Sequence, residues 1–350
     1  MGKVNDKTDF FKYVDSFAKD AGVSSLLIKG DISSVAPAVT IAIPTYKRPE
    51  FIKCAIDSAL AQKDFDNYEV VVVDNDPERG TETEKIVCAI DNPKLRYYKN
   101  GENLGMFGNM NRCILLSRTK WISFLHDDDL LSANFLFCVF DVLKKHSSID
   151  MLCARQDRVI FDGNDYKDAP KVFYHKFEGG ICRMTLKDYA YYYPVRSTGC
   201  VFCRDNALKI GGFNPDFYPT SDYVFSALYS HFFSCYDYNR YLYDYRIGLN
   251  ESANPDTYKS TFLNDYFFQI AIQKQLGHNS LFFKNIVEAN TNRNIFRLAI
   301  YGIHDLSFAK DIISGKSRTI HKLYVYIDIL YRRCRKFLIF LINTFLHNIK

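Results

Sequence analysis

The chain has 350 residues, of which 47% are hydrophobic and 24% are charged, so it contains enough apolar material for a large buried core. Its net charge of +5 is small for this length, which argues against nucleic acid as a partner. Residues 1–20 contain no continuous apolar segment, and no run reaches the roughly 18 apolar residues that span a bilayer. We therefore expect a cytoplasmic protein without a signal peptide or a transmembrane helix.

The ten cysteines are scattered singly through apolar stretches, which favours reduced thiols in a core over a disulfide framework. Cys200 and Cys203 form the one C-x-x-C pair in the sequence. The residues around them are apolar and predict a buried strand rather than a metal or redox site.

Residues 1–36 are predicted to form an N-terminal helical extension. Phe10, Val14 and Phe17 recur at a spacing of three to four residues, which indicates a helix over residues 9–21. The segment that follows is rich in Ser and Gly and is predicted to be a connector.

From Val39 onward, short β-branched runs alternate with amphipathic segments. The run at residues 68–73 is almost entirely valine, as in a parallel strand that is covered on both faces. The alternation predicts an α/β fold with a mostly parallel sheet flanked by helices, in which ligands bind at the carboxyl ends of strands. The predicted strands are residues 39–43, 68–73, 95–98 and 121–125, and the predicted helices are residues 49–62, 82–90 and 106–116.

The second half of the chain has a mixed pattern. From Phe262 onward the sequence predicts helices. Before that point we predict strands at residues 151–161 and 199–203, a hairpin-like stretch at residues 162–168, and helices at residues 187–193, at residues 205–210 and from about Thr220.

Three adjacent carboxylates, Asp127, Asp128 and Asp129, follow the strand predicted at residues 121–125. Like charges this close repel each other and raise one another's pKa, so a cation is expected among them. A hard divalent ion such as Mn²⁺ or Mg²⁺ takes oxygen ligands and completes its shell with substrate phosphates, which would satisfy the cluster. The alternative is a helix N-terminus rich in acid, because a helix is also expected after Leu131.

Five short motifs follow one another along the chain, most of them at predicted strand ends. They are Pro44-Thr45-Tyr46-Lys47-Arg48, Val72-Val73-Asp74-Asn75, Asn103-Leu104-Gly105 with Asn109 and Asn111, Phe124-Leu125-His126-Asp127-Asp128-Asp129, and Gly211-Gly212-Phe213 followed by Asp222. In this order and spacing they resemble the family 2 inverting glycosyltransferases of bacterial surface polysaccharide synthesis, over about residues 38–250.

This resemblance implies a GT-A type fold with a Rossmann-like sheet and a helical C-terminal extension. Residues 37–255 would form the catalytic domain, with a nucleotide-binding half at residues 37–130 and an acceptor half at residues 131–255. Residues 256–350 would form a helical C-terminal region that carries a basic amphipathic tail.

The resemblance also implies roles for the residues of the first two motifs. Pro44, Thr45 and Tyr46 would line the pocket for uracil and ribose, with Arg48 beside them, and Asp74 would accept a hydrogen bond from the uracil imide. From the residues alone, Pro44 simply ends a strand, and the alternative for Asp74 is that it caps the next turn.

In the acidic cluster, the resemblance places the ribose contact on Asp127 and the metal ligand on Asp128. Asp129 would be a further metal-site acid or a helix cap. His126 stands where the family often has its first Asp, and we interpret it as a neutral histidine at the strand end. This departure leaves metal binding dependent chiefly on Asp128.

Two more positions complete the predicted donor site. Arg246 corresponds to a position where the family keeps a basic group close to the diphosphate. Asn103, together with Gly105, is expected to fix a loop under the nucleotide, because Asn and Gly tolerate left-handed backbone.

The resemblance makes Asp222 the predicted general base. It falls on the family's second acidic motif, although Ser221 replaces the usual Glu. A carboxylate there would take the proton of the acceptor hydroxyl as its oxygen attacks the anomeric carbon, with inversion of configuration. The alternative is that Asp222 caps a helix at residues 223–230, and Asp216 is a weaker candidate for the base.

The tail at residues 318–350 mixes Arg and Lys with aromatic and aliphatic side chains. Such a helix would lie on the inner face of the cytoplasmic membrane, or pack on its own domain or in an oligomer.

The predicted function is metal-assisted transfer from a UDP-sugar to a saccharide or lipid-linked saccharide, in capsule, O-antigen or lipopolysaccharide synthesis. The alternatives are a nucleotidyltransferase or a non-catalytic, membrane-associated partner with the same fold. A nucleotidyltransferase would carry a glycine-rich loop after the first strand, and residues 44–48 contain no glycine.

Overall fold

Strands and helices alternate along the chain around one 11-stranded sheet, as the predicted α/β class requires. The computed structural model describes residues 4–32, 36–160, 166–168, 179–191, 197–246, 254–277 and 287. The strands are β1 (Ser25–Lys29), β2 (Val39–Thr45), β3 (Tyr68–Asp74), β4 (Leu95–Asn100), β5 (Trp121–Phe124), β6 (Leu130–Leu131), β7 (Met151–Ile160), β8 (Tyr166–Asp168), β9 (Ile181–Met184), β10 (Cys200–Cys203) and β11 (Cys235–Arg246). The helices are α1 (Pro49–Leu60), α2 (Glu82–Ala89), α3 (Gly105–Leu116), α4 (Phe135–Lys145), α5 (Leu186–Tyr191), α6 (Arg204–Lys209), α7 (Ser221–Phe232) and α8 (Pro255–Gln275).

Across the sheet the strands follow the order β1-β4-β3-β2-β5-β10-β7-β11-β6, with β8 on β7 and β9 on β11. Strands β4, β3, β2 and β5 are parallel to one another, as predicted for this part of the chain. Beyond β5 the sheet is mixed, because β10 is antiparallel to β5 and β7 whereas β11 is parallel to β7. The parallel half of the sheet is therefore the part that the alternating pattern predicted.

The valine run of β3 shows why the sheet is covered on both faces. Successive side chains of a strand point to opposite faces. Val70 and Val72 pack in one core with residues of α1 and α4, whereas Val71 and Val73 pack in a second core with residues of α3, α7 and α8. All four are fully buried, which confirms the prediction of a strand enclosed by helices.

The prediction of a helix over residues 9–21 is wrong. Among residues 4–32 the helical structure is limited to a single 3-10 turn at Phe17–Asp20. Asp9 Oδ1 accepts hydrogen bonds from the backbone N–H groups of Phe11 at 3.0 Å and Lys12 at 3.1 Å. A short acidic side chain that binds nearby backbone in this way stabilises a turn and competes with a continuing helix.

The N-terminal segment is also integral to the domain rather than an appendage. Phe10 is 1% exposed, and its ring centroid lies 5.0 Å from that of Phe217 and 4.9 Å from that of Phe268 in α8. The predicted connector contains β1, which pairs antiparallel with β4 at the sheet edge. The domain boundary predicted at residue 36 therefore does not separate two packing units.

The start of the predicted C-terminal region is helical, as expected, because α8 begins at Pro255. Phe268 and Ile272 of this helix belong to the same core as α7, so α8 also packs as part of the main domain. The predicted tail at residues 318–350 lies outside the described residues. Within the described ranges, no helix is both long and apolar enough to cross a membrane.

One pair of cysteines differs from the expectation of reduced thiols. Cys153 of β7 and Cys200 of β10 face each other across neighbouring strands and form a disulfide. The buried cysteines Cys113, Cys138 and Cys235 are free thiols, as predicted for core positions.

Candidate functional site

Three neighbouring strands end at the same edge of the sheet, and polar residues of the predicted site stand at these ends. Thr45 of β2 pairs in register with Asp74 of β3, and the N–H of Asn75 donates to Thr45 O at 2.9 Å. Strand β5 lies on the other side of β2, and the chain continues from it into Asp127. The motifs after the first, second and fourth strands of the predicted sheet thus meet at the edge where α/β folds bind ligands.

Two acids of the cluster contact side chains of the first motif. Asp127 Oδ2 accepts a hydrogen bond from Thr45 Oγ1 at 2.7 Å, and Asp128 Oδ2 accepts one from Arg48 Nη1 at 2.6 Å. Arg48 Nη1 also lies 3.6 Å from Asp127 Oδ1. The structure therefore brings Thr45 and Arg48 together with the cluster, while their contact with a donor stays a prediction.

Protein groups donate hydrogen bonds to both carboxylate oxygens of Asp129. Its carboxylate is fully buried, Thr198 Oγ1 donates to Oδ2 at 2.7 Å, and the N–H of Arg246 donates to Oδ1 at 3.1 Å. The helix-cap alternative for Asp129 is wrong, because Leu130–Leu131 form β6 and α4 begins only at Phe135. These contacts favour an anchoring role for Asp129 rather than contact with a ligand.

Burial and mutual repulsion both disfavour the ionised form of two acids of the cluster. The pKa of Asp127 is raised to about 7 and that of Asp129 to about 8, first by burial and then by the charge of Asp128. A divalent cation at Asp128 would relieve this repulsion, and carboxylate oxygens are suitable ligands for Mn²⁺ or Mg²⁺. The described residues contain no group of three His, Cys, Asp or Glu placed to hold an ion, so donor phosphates would have to complete its shell.

His126 at the head of the cluster supports the neighbouring loop. Its ring Nε2 lies 2.7 Å from Ser197 Oγ, and its backbone N–H donates to Thr198 Oγ1 at 3.2 Å. Burial lowers the pKa of His126, so the imidazole is neutral at pH 7. The prediction of a neutral histidine at the strand end agrees with this geometry.

Arg246, at the end of β11, lies against the cluster. Its Nε donates to the backbone oxygen of Asp128 at 3.1 Å, and its guanidinium lies 4.9 Å from the ring centroid of Phe51. The residue is 8% exposed, so these contacts hold it in one place. A basic group therefore stands beside the acids, and its predicted contact with a diphosphate stays a prediction.

Asp74 and Tyr46, which were both predicted to contact the base, lie in opposite environments. Asp74 is fully buried; its Oδ2 accepts from Lys99 Nζ at 2.9 Å and from Tyr97 OH at 2.6 Å, and its Oδ1 accepts from the N–H of Asp76 at 3.0 Å. Tyr46 is 41% exposed. The geometry thus favours Tyr46 as the wall of a pocket and gives Asp74 a buried ion pair that stabilises the ends of β3 and β4.

Four asparagines form a hydrogen-bonded network under the loop that carries Asn103. Asn75 Nδ2 donates to Asn103 Oδ1 at 2.6 Å, and Asn75 Oδ1 accepts from Asn100 Nδ2 and from the N–H of Leu104, both at 3.0 Å. Asn100 Nδ2 also donates to Asn109 Oδ1 at 2.9 Å. Asn103 therefore fixes the loop, as predicted, and sequence reasoning missed that Asn75 and Asn100 hold Asn103 in turn.

Replacing Asn75 by Ala is expected to lower the free energy of unfolding by about 2 kcal/mol, because Asn75 is buried and its loss removes an acceptor from the buried amide of Asn100 and from the N–H of Leu104. Urea denaturation followed by circular dichroism measures this change. Asn134→Ala is the matched control, since Asn134 is exposed and its side chain does not cap α4. An equal, small effect in both variants would show that the network does not stabilise the loop.

Asp222 stands in the first turn of α7, and its Oδ1 accepts from the N–H of Tyr223 at 2.8 Å. Burial raises the pKa of Asp222 to about 6. Asp265 of α8 lies close enough for its own pKa to be raised by burial and then by the charge of Asp222. Among the described residues Asp222 is therefore part of a second acidic pair, outside the hydrogen-bonded cluster of Asp127 to Asp129.

Residues 40–209 match the model of glycosyl transferase family 2, a range that contains the first four motifs and ends before Asp222. The chain carries a glycosyl transferase family 2 domain. This glycosyltransferase domain starts at β2 and includes every strand that delivers a residue to the acidic cluster except β11. The predicted similarity to glycosyltransferase family 2 is therefore confirmed over this range, whereas inversion and a place in surface polysaccharide synthesis stay predictions.

Similar proteins are also named as glycosyltransferases. An uncharacterized glycosyltransferase of Rickettsia bellii is 33% identical over 152 residues, covering 43% of this chain and 21% of that protein. WcaA of Escherichia coli, named for colanic acid biosynthesis, is 31% identical over 100 residues, covering 29% of this chain and 36% of that protein. The chain thus spans between about a fifth and about a third of the length of these two relatives.

Solved structures with the same fold confirm the GT-A type of the glycosyltransferase domain. Residues 1–349 of S. aureus TarS in complex with UDP-GlcNAc have a TM-score of 0.51 at 16% identity, over 76% of this chain and 88% of that chain. The mannosyltransferase PcManGT of Pyrobaculum calidifontis, in complex with GDP-Man and Mn²⁺, has a TM-score of 0.52 at 15% identity, over 85% and 86% of the two chains.

Proposed function

We propose that the chain is an inverting glycosyltransferase that transfers a sugar from a UDP-sugar to a hydroxyl of a saccharide or lipid-linked saccharide. The observation that carries the proposal is the meeting of Asp127 and Asp128 with the guanidinium groups of Arg48 and Arg246 at the carboxyl edge of the sheet. Acids at this place suit a ribose and a metal ion, and guanidinium groups suit a diphosphate. The ligands named for TarS and PcManGT, which share the fold, support a nucleotide-sugar donor.

The donor would lie along this edge. The exposed ring of Tyr46 forms one wall for the base, and Asp127 accepts a hydrogen bond from a ribose hydroxyl. Arg246, fixed beside the cluster, is placed to contact the diphosphate. When bound at Asp128, Mn²⁺ or Mg²⁺ would supply a positive charge that stabilises the departing diphosphate.

Asp222 would act on the acceptor. Its carboxylate takes the proton from the acceptor hydroxyl while the acceptor oxygen forms a bond to the anomeric carbon. The bond from that carbon to the diphosphate oxygen breaks, and its electron pair leaves with UDP. Attack from the face opposite UDP inverts the configuration. Burial makes Asp222 a stronger base than an exposed Asp, and with a pKa of about 6 it is still ionised at pH 7.

The acceptor would be part of a surface polysaccharide such as capsule, O-antigen or lipopolysaccharide. The similarity to WcaA, which is named for colanic acid biosynthesis, supports this class. The cations and aromatic residues of residues 318–350 support a position at the inner face of the cytoplasmic membrane, where lipid-linked acceptors would be within reach.

A panel of UDP-, GDP- and TDP-sugars tests the proposal with purified full-length chain and Mn²⁺. One UDP-sugar should raise the melting temperature by several degrees at about 100 times its Kd, and should be hydrolysed slowly with release of UDP. Asp128→Asn should lose the part of both effects that depends on metal. Absence of a shift and of UDP release with every donor would contradict the proposal, and release of pyrophosphate from UTP and a sugar phosphate would favour a nucleotidyltransferase.

A further inference from the structure

The guanidinium of Arg48 lies on the oxygen that would bind the metal ion. Arg48 Nη1 is 2.6 Å from Asp128 Oδ2 and 3.6 Å from Asp127 Oδ1, so it bridges the two acids that face the donor. The side chain of Asp128 is 6% exposed, and a buried carboxylate of this kind is costly without a cation beside it. In this arrangement Arg48 supplies that cation.

A guanidinium and a divalent ion on the same carboxylate would repel each other strongly. A metal ion about 2.1 Å from Asp128 Oδ2 would lie within about 5 Å of Arg48 Nη1, too close for two positive charges in a partly buried site. Binding of the ion therefore requires Arg48 to move away from Asp128. The two cations compete for one carboxylate.

Arg48 is better placed to move than the second guanidinium of the site. Its side chain is 26% exposed, and it stands at the N-terminus of α1, directly after Lys47, which has a left-handed φ of 54°. Arg246, in contrast, is held through its own backbone N–H by Asp129 and through Nε by the backbone of Asp128. Arg48 is therefore the more exposed of the two guanidinium groups that lie beside the acids.

We propose that Arg48 is a built-in substitute for the metal ion, which neutralises Asp128 until a donor with its ion displaces it. On displacement the guanidinium passes to the donor diphosphate, which would lie against the ion bound at Asp128. This proposal rests on the proposed function, since it takes the ion and the diphosphate to bind at this edge. It predicts that Arg48 weakens the binding of the metal alone and strengthens the binding of the nucleotide diphosphate.

Opposite changes in two affinities test the proposal. In Arg48→Gln, Mn²⁺ alone should bind about tenfold tighter, because the repelling positive charge beside the ion is removed. UDP at saturating Mn²⁺ should bind about tenfold more weakly, because the diphosphate loses its guanidinium partner. Electron paramagnetic resonance of free Mn²⁺ measures the first affinity, and titration calorimetry measures the second. Lys53→Gln is the matched control, because it removes one positive charge from the exposed surface of the same helix and should change both affinities by less than about twofold.

Two more measurements separate the outcomes. Arg48→Lys keeps the charge but loses the planar fork, so Mn²⁺ should bind about threefold tighter than in the wild type, even if Arg48→Gln fails to fold. The proposal for Arg48 is overturned if the folded variants bind Mn²⁺ no more tightly than wild type while wild type still binds Mn²⁺ together with UDP. The proposed function would survive that result. If wild type binds neither Mn²⁺ nor UDP, the proposed function itself fails.

Discussion

Replacing Asp222 by Asn is expected to slow sugar transfer about 10²- to 10⁴-fold, the usual contribution of a general base. Asn has nearly the same shape but takes up no proton, so donor affinity should stay within about twofold of the wild type, as expected for a group that acts on the acceptor. Steady-state rates with the donor identified in the panel, together with titration calorimetry for UDP, give the two quantities.

The pH dependence of the transfer rate of wild type is an independent test of Asp222 as the base. A base works only when it is deprotonated, and burial raises the pKa of Asp222 from 3.8 to about 6. At saturating donor and Mn²⁺, which hold Asp127 to Asp129 in their ionised form, the logarithm of kcat/KM for the acceptor should therefore rise with pH below about 6 and level off above it. An exposed Asp would place this limb near its ordinary pKa of about 4. Asp222→Asn should lack the limb.

Asp216→Asn is the matched control for Asp222→Asn. Asp216 is the weaker candidate for the base, and it is exposed and paired with Lys19 at 2.6 Å. Its replacement should leave both the rate and the pH limb unchanged. Loss of transfer in Asp216→Asn, or loss of donor binding in Asp222→Asn, would remove Asp222 from the role of base.

The parallel half of the sheet could be predicted because its signals are local. The bounds of every strand and helix predicted between residues 39 and 125 agree with the structure within two residues. Buried parallel strands are short apolar runs, and each helix between them shows its own apolar face, so neither needs information from distant residues. The polar motifs were then found at strand ends because a sheet of this type places them there.

The rest of the sheet depends on contacts that local patterns do not contain. Strand β11 carries Tyr at mostly alternate positions between Cys235 and Arg246, yet we did not predict it. Strand β11 pairs with β7, β9 and β6, which are all distant from it in the sequence. In the pairing with β6, Tyr243 and Leu131 are more than a hundred residues apart. The alternation itself was a usable signal for a strand, since period two is the pattern of a half-buried strand.

The candidate site shows the same division. The cluster of Asp127 to Asp129 was evident from the sequence, but its partners Thr198 and Arg246 come from distant strands. Lys99, which neutralises the buried Asp74, gave no sign of its role, because an isolated Lys usually lies on the surface. The sequence showed which residues carry the acids of the site. It did not show which distant side chains neutralise or hydrogen-bond them, because the fold brings those side chains together.

Replacing Phe10 by Ala is expected to lower the free energy of unfolding by about 3–5 kcal/mol, the usual cost of removing a buried Phe. Phe10 is 1% exposed and packs between Phe217 and Phe268, so its loss opens a cavity where the N-terminal segment meets α8. Such a loss is a large part of the stability of an ordinary domain. Urea denaturation of the full chain, followed by fluorescence and by circular dichroism, measures the change.

Tyr13→Ala in the same segment is the control for Phe10→Ala. Tyr13 is 62% exposed, so its replacement should change the free energy of unfolding by less than about 0.5 kcal/mol. A large difference between the two variants means that residues 4–32 fold as part of the glycosyltransferase domain, because an extension that packed separately would leave the stability of that domain unchanged. If Phe10→Ala costs as little as Tyr13→Ala, the segment is the independent extension that its sequence suggested.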